Sequence, residues 1–218
     1  MEGIIYRVQS YQEHARLLFT YTSHGKVTLI AKGSQKLNAS SRVISQFLTC
    51  LTFTEVALKT MYTLNSPKLI NDYALIKADY HQTQAAALML EVIDQFIVED
   101  VNHQAIYDEL KAALEAKDMT ISSLAFVMRM LKPLGLGLDL KPDGRIVKGI
   151  SIEKGGLVYE DEEGFVDLDV KVATPLLKLY YLPYNEHDIY EIDIIKEIKE
   201  FIQKYYQYHL QTTLKNLK

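Results

Sequence analysis

Near residue 80 the apolar residues stop alternating and begin to recur at helical spacing, so the chain reads as a β part followed by an α part. In the β part, residues 3–8, 16–22 and 26–31 are short apolar, β-branched runs. Ser23-His24-Gly25 between the second and third reads as a turn, since glycine tolerates positive φ, and pairs those runs as a hairpin. Residues 32–41 are polar and predict a loop. Residues 49–62 alternate Leu51, Phe53, Val56 and Leu58 with polar side chains, with one slip that fits a bulge. Residues 69–76 supply a last strand. Five strands in about 75 residues, with no long helix between them, fit a small barrel.

The α part begins with Ala85, Leu88, Met89, Val92, Ile93, Phe96 and Ile97 within residues 84–98. Asn102 is placed to cap a second helix over 104–115, and Thr120 to cap a third that Pro133 and Gly135 end. Residues 135–169 differ in kind. They hold seven of the ten glycines, with short apolar runs between them, and predict a loop-and-ribbon insertion. A helix over 171–181, a break at 183–186 and a long amphipathic helix from 188 onward complete the chain. The change of pattern places the boundary near residues 76–82, giving parts at 1–79 and 80–218.

Apolar residues make up 48% of the 218, enough for a real core and too many for overall disorder. No apolar run approaches about 18 residues, which excludes a spanning helix. The opening Met1-Glu2-Gly3-Ile4 lacks a basic region followed by a long apolar one, which argues against secretion. The one cysteine, Cys50, cannot form an internal disulfide or a cysteine-based zinc site, and predicts a reduced cytoplasmic setting. Its apolar surroundings predict a buried structural thiol.

The net charge of −4 conceals an asymmetry. Residues 1–75 carry eight Lys and Arg against four Asp and Glu, while residues 76–218 carry sixteen against twenty-four. A basic first third invites a polyanion. Lys26 opens a strand, and Lys32, Lys36 and Arg42 surround the polar loop. Several cations about a loop suit a phosphate backbone without reading bases. Arg7 and Arg16 extend the set of candidate DNA-binding residues. Of the nearby aromatics, Phe19, Phe47 and Phe53 read as core, whereas Tyr6 and Tyr21 are open to either burial or base stacking.

Catalytic patterns are missing. The six histidines share no i,i+4 face, and there is no phosphate-binding GxxxxGK[ST], no GxGxxG and no GxSxG. Glu160-Asp161-Glu162-Glu163 reads as a solvated turn before a cation site. No enzyme is expected.

Several segments together resemble the RecO family of bacterial recombination mediators. They are Glu2-Gly3-Ile4-Ile5, Tyr11-Gln12-Glu13, Thr22-Ser23-His24-Gly25-Lys26, and Ala31-Lys32-Gly33 with Lys36 and Arg42. Later come Leu134-Gly135-Leu136-Gly137-Leu138-Asp139, Gly155-Gly156-Leu157, and His209-Leu210 followed by Leu214-Lys215-Asn216. The resemblance implies an α+β chain: an N-terminal OB-fold β-barrel over 1–79, then an α-helical domain over 80–218. It implies binding of single- and double-stranded DNA, strand annealing, and help to RecR in loading RecA on DNA coated with single-strand-binding protein. The acidic tail of that protein docks on the family's helical domain, and the setting is the cytoplasmic nucleoid.

Many members carry a four-cysteine zinc site after the Leu-Gly-x-x-Leu-Asp segment. Here Lys141-Pro142-Asp143-Gly144 and residues 159–163 stand in those places, so no zinc is expected. The insertion at 135–169 becomes a small degenerate zinc-finger-like element, with Ile146, Ile150, Leu157 and Tyr159 expected to hold it by packing. The alternative reading is a protein-interaction adaptor with an OB fold and little DNA binding of its own.

Overall fold

A computed structural model describes residues 1–36, 41–54, 61–188 and 190–217. The chain divides into two compact units, Met1–Lys111 and Ala112–Lys218. The junction expected at 79/80 falls inside the first unit, where a helix begins.

The first unit is built on six strands, β1 (Glu2–Tyr11), β2 (Ala15–Thr22), β3 (Gly25–Ala31), β4 (Cys50–Thr52), β5 (Met61–Thr63) and β6 (Lys68–Asn71). Their order in the sheet is β5-β3-β2-β1-β4-β6. The meander β1–β2–β3 is antiparallel, β3 pairs in parallel with β5, and β1 pairs with β4. Strand β3 alternates as period-2 patterning requires, sending Val27, Leu29 and Ala31 inward. They join Ile5, Leu18, Leu51 and Phe53 in one apolar core. A register shift between Ile5 and Arg7 bulges β1. Beyond β4 and β5, the backbone N–H of Thr54 donates to the carbonyl of Asn65 at 3.1 Å. The expected strand over 49–62 is thus two strands, β4 and β5, with residues 55–60 outside the described set.

The structure departs from the sequence pattern at two short places. Within the expected loop, Ser41–Ile44 forms one helical turn, α1. The last strand, expected to reach residue 76, stops at Asn71. There the Asn71 side chain accepts from the Tyr73 backbone N–H (2.8 Å) and the Asp72 side chain from that of Ala74 (3.1 Å). Tyr73 takes a left-handed φ of 51°, and the chain enters α2 (Ala74–Ala78). Asx side chains that bond the backbone two residues on turn it out of a strand. Asp79 then caps α3 (Tyr80–Phe96) by accepting from Gln82 N–H. α3 packs on β1, and Asn102 caps α4 (His103–Leu114) as its sequence predicts.

In the second unit, α5 (Met119–Arg129) is capped by Asp118, whose carboxylate accepts from Ile121 N–H at 3.0 Å, rather than by Thr120, which lies in the first turn. The glycine-rich insertion is a small sheet of β7 (Val147–Ser151), β8 (Gly156–Tyr159) and β9 (Leu168–Asp169), ordered β8-β7-β9. It explains two glycines: a Cβ on Gly156 would meet the Asp139 carbonyl oxygen at 2.5 Å, and one on Gly149 would strike that of Leu168. α6 (Val170–Tyr181) follows, then a 3-10 turn at Tyr184–Glu186 and α7 (Ile192–Leu210). α7 starts at Ile192 and not at 188; it buries Ile198, Phe201, Ile202 and Tyr205 as their spacing predicts, and Tyr206 as well, but leaves Ile192 exposed. Tyr205 and Tyr206 donate to the carbonyls of Leu136 (3.0 Å) and Val127 (2.8 Å). No helix among the described residues is long and apolar enough to cross a membrane.

Candidate nucleic-acid interface

Strand register separates the candidate cations into two places within the first unit. Arg16 pairs with Ser10 on β1 and with Ala31 on β3, so it stands at one end of the meander. Lys32 follows Ala31 directly. The turn that carries Lys32 and Lys36 is fixed at this same end, since Gln35 donates from its side chain to the Ala15 carbonyl (2.5 Å) and from its backbone to that of His14 (3.3 Å). Both lysines are exposed. Arg42 lies half-exposed on α1, and Arg16 donates to the carbonyl of Ser45 just beyond that helix at 3.1 Å.

Lys26 pairs with Tyr21 near the opposite end of β3. Its ammonium donates to the backbone carbonyl of Asp94 on α3 at 2.9 Å, and burial pushes its pKa down against the pull of the Asp94 carboxylate. The Arg7 guanidinium lies 3.5 Å from that carboxylate and 3.8 Å from the centre of the Phe19 ring. These two cations brace the sheet against α3.

The aromatics fall out differently from their sequence reading. Tyr6 and Tyr21 are buried, and burial raises both phenols, Tyr6 to about 12. Phe53 is core, but Phe19 and Phe47 are only partly buried: Phe19 is covered by Arg7, and Phe47 lines a groove. Alternation alone cannot reveal this, because the packing partners are distant in sequence: Tyr21 lies against His103 and Tyr107 on α4, and α3 packs on β1, the strand that carries Tyr6.

The groove, of about 480 Å³, is lined by Val8, Ser10, Arg16, Ser45, Gln46, Phe47 and Lys77. Lys77, on α2, was not among the sequence candidates. It lies alone between Lys68 and Lys111 in the sequence, and only folding brings it beside Arg16. It donates to the Thr49 hydroxyl at 3.1 Å, and burial lowers its pKa while Asp72 pulls the other way. The buried hydroxyl of Ser45 has no partner among the described residues. Two cations, a half-buried phenylalanine and small polar groups are suited to a phosphate and an apolar ring face.

Cys50 is buried, as its sequence context predicts, and burial pushes its thiol up to about 11. In the second unit, the segments where family cysteines would stand hold a different chemistry. The Arg145 guanidinium bonds Asp143 (2.6 Å), Glu162 (2.8 Å) and Asp161 (3.3 Å), and lies 3.8 Å above the Tyr159 ring. Lys154 reaches Glu162 at 2.5 Å. A cation already occupies the centre of these carboxylates, so the donors do not fit a zinc ion. Among the described residues no group of His, Cys, Asp or Glu is placed to hold a metal. Ile150, Leu157 and Tyr159 are buried as expected, but Ile146 is 68% exposed, so it does not hold this element.

Comparison with known proteins accords with the arrangement of a sheet followed by helices. Residues 77–146 match the family model described as Recombination protein O C terminal. A DNA repair protein RecO of Listeria monocytogenes is 26% identical over 219 aligned residues, covering 93% of this chain and 84% of its own. Over most of its length the chain is similar to proteins of the RecO family. Other RecO proteins match similarly: that of Exiguobacterium sibiricum at 26% over 93% of this chain and 86% of its own, and that of Moorella thermoacetica at 29% over 75% and 66%. The mixed α+β architecture, with an N-terminal sheet and C-terminal helices, fits RecO.

Proposed function

We propose that this chain is a RecO-family DNA repair and recombination mediator that acts by binding, not by catalysis, and that the basic end of its N-terminal sheet is the DNA-binding surface. One observation carries the surface assignment: Arg16, Lys32 and Lys36, with Arg42 on the adjoining helical turn, gather around one end of the β1–β2–β3 meander. Cations there neutralise phosphates and release counterions. Lys26 and Arg7, engaged with Asp94, belong to the same reading with smaller effect.

The sheet is read as an OB-fold barrel formed from residues 1–79. Support comes from the parallel β3–β5 pairing, the β1–β4 pairing and the Thr54–Asn65 hydrogen bond between the segments that follow β4 and β5. In such folds the first hairpin loop and the face of the second and third strands take oligonucleotides. Residues 80–218 form the helical part, and the ribbon at 135–169 is its degenerate zinc-finger-like element.

The mechanism is electrostatic. Two strands held on one cationic surface lose their mutual repulsion and pair, so single- and double-stranded DNA both bind and complementary strands anneal. RecR and the tail of the single-strand-binding protein are the protein partners, with RecA loaded as a consequence, on nucleoid DNA in the cytoplasm. A strand-annealing assay with complementary oligonucleotides, bare and coated with single-strand-binding protein, tests this reading. Faster annealing that high salt abolishes supports it. Binding to RecR or the tail with no DNA binding and no annealing overturns it in favour of an adaptor.

A further inference from the structure

We propose that the groove beside the basic surface is a subsite for one unpaired nucleotide, with Arg16 and Lys77 on its phosphate and Val8 and Phe47 against its base. The inference rests on the DNA-binding reading and adds selection of single strands over duplex. Its volume of about 480 Å³ falls within the range of small-ligand pockets, about 300–1,000 Å³. The described residues that line it include two cations and no carboxylate. Each cation has one donor fixed by the protein, Arg16 on the Ser45 carbonyl and Lys77 on the Thr49 hydroxyl. Those bonds hold the heads in place, and among the described residues neither head makes a further hydrogen bond, which leaves donors for a ligand.

The apolar wall has the complementary property. Val8 and Phe47 are half-buried, and both line the groove. An aromatic face of this kind stacks on any base without reading its sequence. Exposed Ser10 and Gln46 offer polar edges. A base in a duplex is stacked and paired on all the surfaces this groove would touch, so it must leave the helix to enter.

The test compares binding of a fluorescent single-stranded oligo(dT) and a blunt duplex hairpin by the full chain and by its Lys77→Ala and Phe47→Leu variants. The ratio of single-strand to duplex affinity is expected to fall about tenfold in each variant, the range of a lost base stack or phosphate contact. An unchanged ratio overturns the subsite. Failure of the unaltered chain to bind either DNA overturns the DNA-binding reading itself, which separates the two. A second measurement is independent of how the variants fold. Photocrosslinking a 5-iodouracil-substituted single strand to the unaltered chain is expected to label the peptide containing Phe47, and labelling confined to other peptides contradicts the proposal.

Discussion

Glu2 shows how one residue near the chain start ties the sheet to a helix of the same unit. Its carboxylate accepts from the Tyr107 hydroxyl and the Lys111 ammonium, each at 2.9 Å, and Tyr107 lies 3.9 Å from the buried Cys50 sulfur. Burial pushes the Glu2 carboxyl up, but the Lys111 and Tyr107 hydrogen bonds outweigh it and hold the pKa below its ordinary 4.5. A carboxyl lowered by folding stabilises the native state above its unfolded pKa, and that contribution is lost as pH falls through the folded value. Urea unfolding from pH 7 down to pH 3 is therefore expected to lose stability less steeply in Glu2→Gln than in the unaltered chain, and parallel losses contradict this. Backbone proximity gives a second residue-scale prediction. Gly149→Ala forces a methyl into the Leu168 carbonyl and the Val166 side chain, and is expected to cost about 1–3 kcal/mol in chemical denaturation. Gly33→Ala meets no such obstacle and acts only through its φ of +70°.

The elements legible in the sequence were those whose side chains face one core. The three strands of the meander, the stripe on α7 and the Asn102 cap follow from spacing and capping chemistry within a single segment. What could not be read depends on partners distant in sequence. Nothing local says that Tyr21 packs against His103 and Tyr107, that Lys77 lies beside Arg16, or that Lys26 is spent on the Asp94 carbonyl. The β7–β8 ribbon teaches the same lesson. The absence of cysteines was plain, but the replacement is an exposed guanidinium joining Asp143 to Asp161 and Glu162, not the packing of Ile146. Exposed ion pairs weaken with salt. Limited proteolysis of Arg145→Ala is expected to cut the ribbon faster than in the unaltered chain, with the difference shrinking at high salt. With the Arg145 guanidinium at the centre of these carboxylates, EDTA is expected to leave the thermal midpoint unchanged and metal analysis to find no stoichiometric zinc. A fall in the midpoint on chelation contradicts that.

At the scale of the molecule, charge is arranged locally and not by unit. Residues 1–75 are net basic, but extending to residue 111 adds two lysines and seven carboxylates, so the first unit as a whole is nearly neutral. On the proposed reading, attraction for a polyanion comes from the end of the sheet where Arg16, Lys32 and Lys36 gather, within about a Debye length of any phosphate they hold. Similarity to RecO proteins points to DNA repair, and the binding surface is the proposal to be tested. The direct test is fluorescence anisotropy of a labelled single-stranded oligonucleotide, titrated from low to physiological salt with the unaltered chain and with a Lys32→Ala, Lys36→Ala, Arg42→Ala triple variant. The account predicts a steep fall of affinity with salt, and in the triple variant weaker binding with a slope shallower by about two to three. Equal affinity and equal slope in the two proteins would contradict it.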